Sequence, residues 1–414
     1  MKKIISLILL IIIFIGMPKI SAFWRGEVNH PDDEIAGGEI ITGRFNLFSN
    51  PSYISAGNGY NIIIDYFGRL WSFGSNINGR TGLGVSEGGT LNPTLIDTED
   101  TRFRRVYAGQ NFSLAIDTEG RLWSWGSNAN GRTGLGLMTG NTLEPQMIDT
   151  NQTRFISISS NNDHSVAICT DNNLWTWGAN ASGRTGHGTS AGNTLAPRMV
   201  ETISGIEFKM AVAGNSHTLA LCIDGYIYSF GFNQNGRTGQ GLYQGNLTIP
   251  TRINTGSTRF ITVAAGENMG IAIDTLGRLW SWGSNIQGRI GLGSDDSDVL
   301  TPHLIETNGV AFEFISTGIT HSVLIDNTGR LWSFGNNAQG RTGLGVITNA
   351  QLQPILINSV EDRDFLKVTT GNDHNLALTQ EGILYSFGNN ASGRTGLGTT
   401  GGNRITPLPL LGHN

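Results

Sequence analysis

The sequence predicts an all-β protein, a seven-bladed β-propeller of four-stranded antiparallel blades. One observation is that two closely spaced aromatic residues followed by a glycine-rich turn occur seven times along the 414 residues. A second is that the arginine of this turn recurs at steps of 52, 52, 53, 52, 52 and 53 residues. A third is that each unit contains four short strand-like segments and no helical periodicity. Four strands in a steady period of about 50 residues are typical of propeller blades.

The repeated segment is predicted to be a strand that ends in a tight turn. Its clearest copy runs from Leu122 to Gly136, and its Trp123 and Trp125 lie on one face because strand side chains alternate. The glycines that follow end the strand, because they adopt backbone conformations that other residues avoid. The turn arginines of the seven copies are Arg80, Arg132, Arg184, Arg237, Arg289, Arg341 and Arg394.

The other strands of a unit are clearest in the second copy. Phe103 to Ala108 and Ser113 to Asp117 are predicted as the first two strands, and Arg121 to Trp125 as the third. The fourth runs from Leu143 to Ile148 and contains Pro145. Because proline has no N–H to donate, this strand is expected at the edge of its sheet.

The paired aromatic residues are predicted to pack between neighbouring blades. An aromatic side chain buries roughly 150–250 Å², so at ~25 cal/mol/Å² each pair should stabilise the fold by several kcal/mol. The first members are Trp71, Trp123, Trp175, Tyr228, Trp280, Trp332 and Tyr385, and the second members are Phe73, Trp125, Trp177, Phe230, Trp282, Phe334 and Phe387.

Residues 1–22 are predicted to be a secretory signal peptide. Lys2 and Lys3 precede an apolar run from Ile4 to Gly16, and Ala22 supplies the small residue of a cleavage site. Cleavage would remove three lysines and change the formal charge from −5 to −8. The alternative is an uncleaved anchor, although the run is short for a bilayer span. Residues 23–50 are predicted to be a polar linker with short strands, and residues 51–414 the propeller.

Ring closure requires a place for the last strand, Ile405 to Leu411. No later repeat follows it, so it is expected to pair with the first blade, around Tyr53 to Phe73.

Composition and cysteine content exclude several classes. The formal charge is −5 and there is no Lys/Arg tract, so nucleic acid is not an expected partner. No later segment is apolar enough to span a membrane. Cys169 and Cys222 occupy equivalent positions in the third and fourth units, and a bridge would need Cα atoms within about 7 Å. Two free, half-buried thiols are the favoured interpretation.

The pattern Gly-x-Asn-x-x-Gly-x-x-Gly-x-Gly after an aromatic strand, as in Gly74 to Gly84, resembles the regulator of chromosome condensation family. The resemblance extends over all seven copies, about residues 51–411, and implies a seven-bladed propeller. Arg-Thr stands where that family usually has Gln-Leu, and the fifth copy has Arg289-Ile290. This departure is expected to change the hydrogen bonds of the turn and not the fold.

The name-giving member of the family is a nuclear exchange factor for a small GTPase and also docks on nucleosomes. It uses a hairpin inserted in one blade, whereas no unit here exceeds 53 residues. The resemblance therefore does not carry that activity, or any catalytic residue, to this chain.

The seven arginines allow two interpretations. A ring of guanidinium groups could bind an anionic ligand or the face of a partner. Alternatively, each arginine donates to backbone carbonyls of its own turn or the next blade, or to turn asparagines such as Asn76 and Asn128. The structural interpretation is favoured, because the residue repeats together with its whole glycine context.

Two further features could suggest metal sites. Four histidines share one equivalent position that other units fill with an aromatic residue or methionine, which indicates packing: His164, His217, His321 and His374. The segment Asp295 to Asp298 lacks the glycine and the distal glutamate of a calcium loop, which favours a solvated acidic loop. No catalytic, cofactor-binding or metal-binding residue is predicted, and no cofactor.

The loop between the glycine turn and the proline strand has a constant length and a variable content. The proline lies nine positions after the last turn glycine, as Pro93 does after Gly84. A surface for partner recognition and neutral variation of an exposed loop explain this equally well.

Together these features predict an exported, non-enzymatic, monomeric propeller that acts as a protein–protein interaction scaffold in the medium or the cell envelope. Its protein partner is unidentified. The alternatives are a secreted effector that acts as a guanine-nucleotide exchange factor for a host small GTPase, a glycan-binding propeller with inter-blade sites, and a purely structural envelope protein.

Overall fold

The chain forms seven four-stranded antiparallel sheets in the computed structural model, which describes residues 53–201 and 205–410. Each sheet consists of four consecutive strands in sequence order, and each strand pairs with its neighbour in the chain. This confirms the predicted seven-bladed propeller. The expected signal peptide (1–22) and the expected linker (23–50) lie outside the described residues.

The strands are numbered β1–β28 in chain order, four to a blade. Their bounds are Tyr53–Ala56, Tyr60–Ile64, Leu70–Ser75 and Gly89–Leu95 in blade 1; Phe103–Ala108, Phe112–Asp117, Leu122–Ser127 and Asn141–Met147 in blade 2; Phe155–Ser160, His164–Cys169, Leu174–Gly178 and Thr194–Met199 in blade 3; Phe208–Ala213, His217–Cys222, Ile227–Gly231 and Leu247–Arg252 in blade 4; Phe260–Ala265, Met269–Asp274, Leu279–Gly283 and Val299–Leu304 in blade 5; Phe312–Thr317, His321–Asp326, Leu331–Asn336 and Ala350–Leu356 in blade 6; and Phe365–Thr370, His374–Thr379, Leu384–Gly388 and Arg404–Pro409 in blade 7.

The first strand of every blade faces the centre of the ring and the fourth strand is the outer edge. The first strands of successive blades contact one another, and β25 of blade 7 contacts β1 of blade 1. Each fourth strand contains a proline, and an edge strand tolerates its missing N–H. We call the face with the first-to-second and third-to-fourth strand loops the upper face. The lower face carries the second-to-third turns and the connections between blades.

Seven hydrophobic clusters fill the seven junctions between neighbouring blades. In each cluster the second aromatic residue of one blade packs against the second and third strands of the blade before it. Trp177, for example, lies with Phe112 and Leu114 of blade 2. The second aromatic residues are fully buried, whereas five of the first ones are half-buried. The seventh cluster joins Leu376 of blade 7 to Phe73 of blade 1 and closes the ring.

The predicted pairing of the last strand with blade 1 is wrong. Strand β28 pairs with β27 of its own blade, with Tyr385 opposite Pro409. Strand β1 fills the place beside β2 in blade 1, so that sheet is complete without a strand from blade 7. Side-chain packing and side-chain hydrogen bonds close the ring instead of a shared sheet.

A short 3₁₀ turn precedes each of the seven arginines, and an eighth connects blades 6 and 7. The eight turns are Ile77–Gly79, Ala129–Gly131, Ala181–Gly183, Gln234–Gly236, Ile286–Gly288, Ala338–Gly340, Asn358–Val360 and Ala391–Gly393. Glycine is required just after the turn arginines for two reasons. Gly134 has φ +77°, and a Cβ there would lie 2.8 Å from Nε1 of Trp177 in the next blade. The glycine motif therefore lets one blade approach the next.

No helix within residues 53–201 and 205–410 has the length and apolar character needed to cross a membrane.

Candidate functional site

The seven turn arginines lie between neighbouring blades, close to the upper face, and five of them are buried. Nε of Arg132 donates to Ala129 O of its own turn (2.8 Å), and Nη1 donates to Asn162 O of the next blade (2.9 Å). The bond from Nε to a carbonyl of the same turn recurs in Arg184, Arg237, Arg289, Arg341 and Arg394. Arg80 instead donates to Ser75 O. Each of these side chains holds its own turn in place.

Burial lowers the pKa of Arg80, Arg132, Arg184, Arg289 and Arg341, and it lowers that of Arg237 to about 10. These groups still carry a positive charge at neutral pH. Three carboxylates of the first-to-second strand loops lie beside them. Asp163 is 2.8 Å from Arg132 and 3.9 Å from Arg184, Glu267 is 3.7 Å from Arg289, and Asp373 pairs with Arg394.

Asp373 is the most perturbed of these carboxylates. Burial alone would raise its pKa, but hydrogen bonds and charge from His374 and Arg394 outweigh that effect and hold the pKa well below its usual range. Asp373 is therefore ionised at neutral pH.

The turn asparagines do not accept hydrogen bonds from the turn arginines, contrary to one expectation above. Asn128 Oδ1 accepts from the backbone N (3.2 Å) and Oγ1 (2.6 Å) of Thr133, and its Nδ2 donates to Leu137 O. The threonine of the Arg-Thr pair thus holds the asparagine. Where Ile290 replaces it, the buried Asn285 Oδ1 has no partner among the described residues.

The four equivalent histidines are fully buried at the start of the second strands. Nε2 of His374 lies 2.8 Å from Asn61 Oδ1 of blade 1, and Nδ2 of Asn61 donates to Arg394 O (2.7 Å). We call this series of hydrogen bonds the junction relay. It runs from the aromatic residue that begins a second strand, through a side chain of the next blade, to the carbonyl oxygen of a turn arginine. Three more relays start at Tyr60, His164 and His321, through Ser113, Thr218 and Asn375 respectively.

The relay is missing on both sides of blade 5. Gly270 stands where Thr218 or Asn375 would be, and neither ring nitrogen of His217 has a side-chain partner in the described part of the chain. A Cβ at Gly270 would lie 2.3 Å from the Trp282 ring, which occupies that space. On the other side, Met269 offers no acceptor to Ser322, whose buried Oγ lacks a partner among residues 53–201 and 205–410. Burial lowers the pKa of His217 and of His321 to about 3.

A second repeated polar contact lies near the lower face, and sequence reasoning missed it. Asp117 Oδ2 accepts from Trp123 Nε1 (2.8 Å) and from Arg121 Nε (2.6 Å). The same aspartate, arginine and tryptophan contacts occur in blades 1, 5 and 6. Burial of the carboxylate is unfavourable by itself. The charge of the arginine and the hydrogen bonds from the arginine and the indole N–H compensate for it.

The sequence does contain a signal for this contact: two positions, six residues apart, change together from one blade to another. Where Cys222 or Thr379 replaces the aspartate, the tryptophan becomes Tyr228 or Tyr385, which has no indole N–H. Blade 3 is the exception, because Cys169 is followed by Trp175, whose buried Nε1 has no partner in the described part. Both cysteines are buried free thiols in different junction clusters.

The acidic loop does not gather metal ligands. Asp298 accepts from Asn235 Nδ2 (2.6 Å) of blade 4 and from the backbone N of Asn285. Within residues 53–201 and 205–410, no three His, Cys, Asp or Glu side chains lie together as metal ligands would. The cavity at the centre of the ring measures about 40 Å³.

Large apolar side chains are exposed on the third-to-fourth strand loops of blades 2, 4 and 6. Leu137 is 63% and Ile347 60% exposed, and Met138, Leu242, Tyr243 and Val346 are exposed as well. All six belong to the loops whose length is constant and whose content varies. They project from the upper face, outside the ring of arginines.

Models of known families match most of the propeller. A model described as "Regulator of chromosome condensation (RCC1) repeat" matches residues 68–116, 119–168, 171–221, 224–273, 277–325 and 328–378. A second model with the same description matches 103–132, 155–184 and 365–394. Each of the six longer matches contains the third and fourth strands of one blade and the first two strands of the next.

Curated relatives and a solved structure show the same similarity. The chain is 29% identical over 320 residues to E3 ubiquitin-protein ligase HERC2 of Mus musculus (75% of this chain), but it spans only 6% of that protein's length. It is 30% identical to ultraviolet-B receptor UVR8 of Arabidopsis thaliana, over 71% of this chain and 66% of the receptor. Prp20p of Saccharomyces cerevisiae, described with its binding to Gsp1p and histones, superposes with a TM-score of 0.72 and 22% identity (82% of this chain, 84% of that chain). The last likeness shows the fold alone.

Proposed function

The chain belongs to the regulator of chromosome condensation repeat family, and on that premise we propose that it is an exported, non-enzymatic propeller that binds a partner protein through its upper face. The observation that carries this proposal is the set of exposed apolar side chains on the loops of blades 2, 4 and 6. Exposing pairs such as Leu137-Met138 and Leu242-Tyr243 to water is unfavourable unless a partner covers them.

The positions of the polar residues support a binding role over a catalytic one. The turn arginines donate to carbonyls of their own turns, and three of the four buried histidines bond to side chains of the next blade. Groups committed to such contacts are not free to act as acids, bases or anion clamps. A rigid ring that presents variable loops is suited to recognition.

The test places a photo-cross-linking amino acid at Met138, Tyr243 or Ile347 of the full chain with its own N-terminal leader. Leu276, which is 68% exposed in a lower-face turn, is the matched control position. Expressed in the source organism, the three upper-face variants should cross-link one shared protein, and the Leu276 variant should not. No shared product, or the same product from all four positions, would refute recognition through the upper face.

A second measurement gives the energetic contribution of the loops. Replacing Leu242 and Tyr243 together by serine should weaken binding of the cross-linked partner at least about tenfold, since a few large apolar residues dominate interface energies. Leu276→Ser should leave the affinity unchanged. Equal affinities for both variants would contradict the assignment.

The two alternative activities have direct assays. Accelerated nucleotide release from a panel of small GTPases would replace the scaffold proposal by an exchange factor. Binding to a glycan array, with the avidity expected of repeated inter-blade sites, would replace it by a lectin-like function. We expect neither result.

Export predicts a defined mature N-terminus. Mass spectrometry of the protein from the medium or the envelope should give a chain that begins at Phe23, after cleavage behind Ala22. A chain that retains Met1 and stays in the membrane fraction would show that residues 1–22 are an anchor.

A further inference from the structure

The upper-face loop of blade 5 differs from the other six loops in its charge. It contains two adjacent carboxylates, Asp295 and Asp296, and no other third-to-fourth strand loop contains such a pair. Both aspartates are exposed, and in the described part of the chain neither carboxylate forms an ion pair or accepts a hydrogen bond. Because two like charges side by side repel each other, a cation that approaches this loop is attracted to it.

The buried arginines on either side of blade 5 do not supply that cation. Burial lowers the pKa of Arg237 and of Arg289, and the charges of Glu267 and Asp298 partly offset that effect. These two arginines are therefore matched by other carboxylates. Between the last turn glycine and the proline, the loops of blades 4, 5 and 6 contain no lysine or arginine. The exposed charge of this part of the upper face is negative.

Exposed apolar side chains flank the two aspartates on both sides. The loop of blade 4 presents Leu242 and Tyr243, and the loop of blade 6 presents Val346 and Ile347. In blade 5 itself, Ile286 of the 3₁₀ turn is 58% exposed. The upper face of blades 4, 5 and 6 thus has a negative centre between two apolar margins. We call its six loop residues the blade 4–6 surface: Leu242, Tyr243, Asp295, Asp296, Val346 and Ile347.

Hydrogen bonds between blades hold the loops of this surface in place. Nδ2 of Asn235, in the 3₁₀ turn of blade 4, donates to the hydroxyl of Tyr243 (3.3 Å) and to Oδ2 of Asp298 (2.6 Å), so it links the loops of blades 4 and 5. The backbone N of Gly293 donates to Leu352 O (2.9 Å) and fixes the loop of blade 5 to blade 6. Loops that are already held lose less conformational freedom when a partner binds.

We propose that the blade 4–6 surface binds a segment of a partner protein in which lysine or arginine lies between apolar side chains. The basic side chain approaches Asp295 and Asp296, and the apolar side chains cover the exposed pairs of blades 4 and 6. A segment without a basic residue would remove water from two unpaired carboxylates, which is unfavourable, and an acidic segment would be repelled. This inference rests on the proposed function, since it specifies the chemistry of the partner that the upper face binds.

The test selects a phage-displayed library of random peptides against the full chain. The enriched peptides should contain lysine or arginine next to aromatic or aliphatic residues. The affinity of the most enriched peptide, made synthetically, is then measured for the unchanged protein and for the double variant Asp295→Asn, Asp296→Asn. The double variant should bind the peptide at least about threefold more weakly, as expected for the loss of two solvent-exposed ion pairs.

The matched control is Glu87→Gln, which removes an exposed carboxylate beside the exposed Val85 in the loop of blade 1. It should bind the peptide like the unchanged protein. Raising the salt concentration from about 0.05 M to about 0.5 M should weaken binding to the unchanged protein more than binding to the double variant, because salt screens exposed charges. A peptide with glutamate in place of each basic residue should lose binding to the unchanged protein. Thermal unfolding of each variant checks that a loss of binding is not a loss of fold.

Three results would refute this inference: selection of no peptide, selection of peptides without basic residues, or equal affinity of the unchanged protein and the double variant. In each of these cases, a shared cross-linked protein from Met138, Tyr243 and Ile347 would leave the proposed function standing. If a basic peptide binds as expected and no shared protein is cross-linked, the surface has the inferred chemistry and the proposed function fails.

Discussion

The junction that closes the ring and the two junctions that flank blade 5 are built from the same aromatic packing but differ in their polar contacts. At the closing junction, His374, Asn61 and the carbonyl of Arg394 form a complete relay. Beside blade 5, His217 lacks a side-chain partner and the Oγ of Ser322 is unpartnered within the described residues. The comparison indicates that apolar packing holds every junction, and that the relay adds stability only where both of its members are present.

The largest expected effect tests the shared part of these junctions. Phe73→Ala at the closing junction and Trp282→Ala between blades 4 and 5 both remove a fully buried ring. Each should lower the free energy of unfolding by about 3–5 kcal/mol, measured by denaturant titration. Leu276→Ala, which changes an exposed side chain, is the control. A loss of unfolding free energy below about 1 kcal/mol for either variant would show that aromatic packing does not stabilise that junction.

The next effect tests the relay itself. Asn61→Ala should cost about 1–3 kcal/mol, because it leaves His374 Nε2 and Arg394 O buried without a partner. Ser322→Ala removes a buried hydroxyl that already lacks one, so it should change the stability by no more than about 0.5 kcal/mol or increase it. Equal losses for the two variants would mean that the difference between the junctions has no energetic consequence.

The buried histidines predict a loss of stability in acid. In the folded protein the pKa of His217 and of His321 is lowered by burial to about 3 from an ordinary value of 6.5, so only the unfolded chain takes up protons between these values. Their contribution is full above about pH 6.5 and falls as the pH drops towards 3. Between pH 7.5 and 5.5 each histidine should remove about 1 kcal/mol.

The comparison between junctions sharpens this prediction. His217→Phe, which introduces the residue of blade 2, should reduce the pH dependence of the unfolding free energy without breaking a side-chain hydrogen bond. His374→Phe should reduce the stability at neutral pH as well, because it breaks the closing relay. Urea titrations at pH 7.5 and 5.5 measure the unfolding free energy of both variants. If its change with pH is the same in His217→Phe as in the unchanged protein, His217 does not cause the loss of stability in acid.

The smallest expected effect concerns the turns. Thr342→Ile in blade 6 should destabilise the protein by about 0.5–1 kcal/mol, because Asn337 Oδ1 loses the Oγ1 donor while the backbone N–H of residue 342 remains. Ile290→Thr in blade 5 supplies an Oγ1 donor for Asn285 Oδ1 but leaves a gap in the apolar cluster, so the net change should stay within about 0.5 kcal/mol. Thermal unfolding of both variants measures the difference. A larger loss of stability for Ile290→Thr than for Thr342→Ile would show that the threonine hydroxyl does not stabilise the turn.

Much of the fold could be predicted from the sequence because the same strand and turn residues recur at a constant spacing. The step between turn arginines and the alternation of Trp123, Ser124 and Trp125 determine the blade number and the strand that packs between blades. The proline of each fourth strand correctly indicates the outer edge. These signals are local, and seven copies reinforce one another.

The closing of the ring could not be predicted in the same way, because it depends on whether blade 1 lacks a strand that blade 7 could supply. The short strand Tyr53–Ala56 supplies its fourth member. A four-residue strand at the start of the repeats has no period to identify it.

The candidate sites were predictable only in part. The coupled change of Asp and Trp, six residues apart, is visible in the sequence once the two positions are compared across repeats. The junction relay at the closing seam is not, because it joins His374 of blade 7, Asn61 of blade 1 and the carbonyl oxygen of Arg394. Only the folded chain brings these three segments together.

The ring has one seam without a covalent connection, between blades 7 and 1. Six other junctions are crossed by the chain itself, whereas among the described residues two complete sheets meet at this seam through side-chain packing and a few isolated hydrogen bonds. If the two ends of the chain are pulled apart, the load falls on that seam before any strand ladder bears it. A force-spectroscopy trace should therefore begin with a small opening of the ring, followed by seven larger events as single blades unravel.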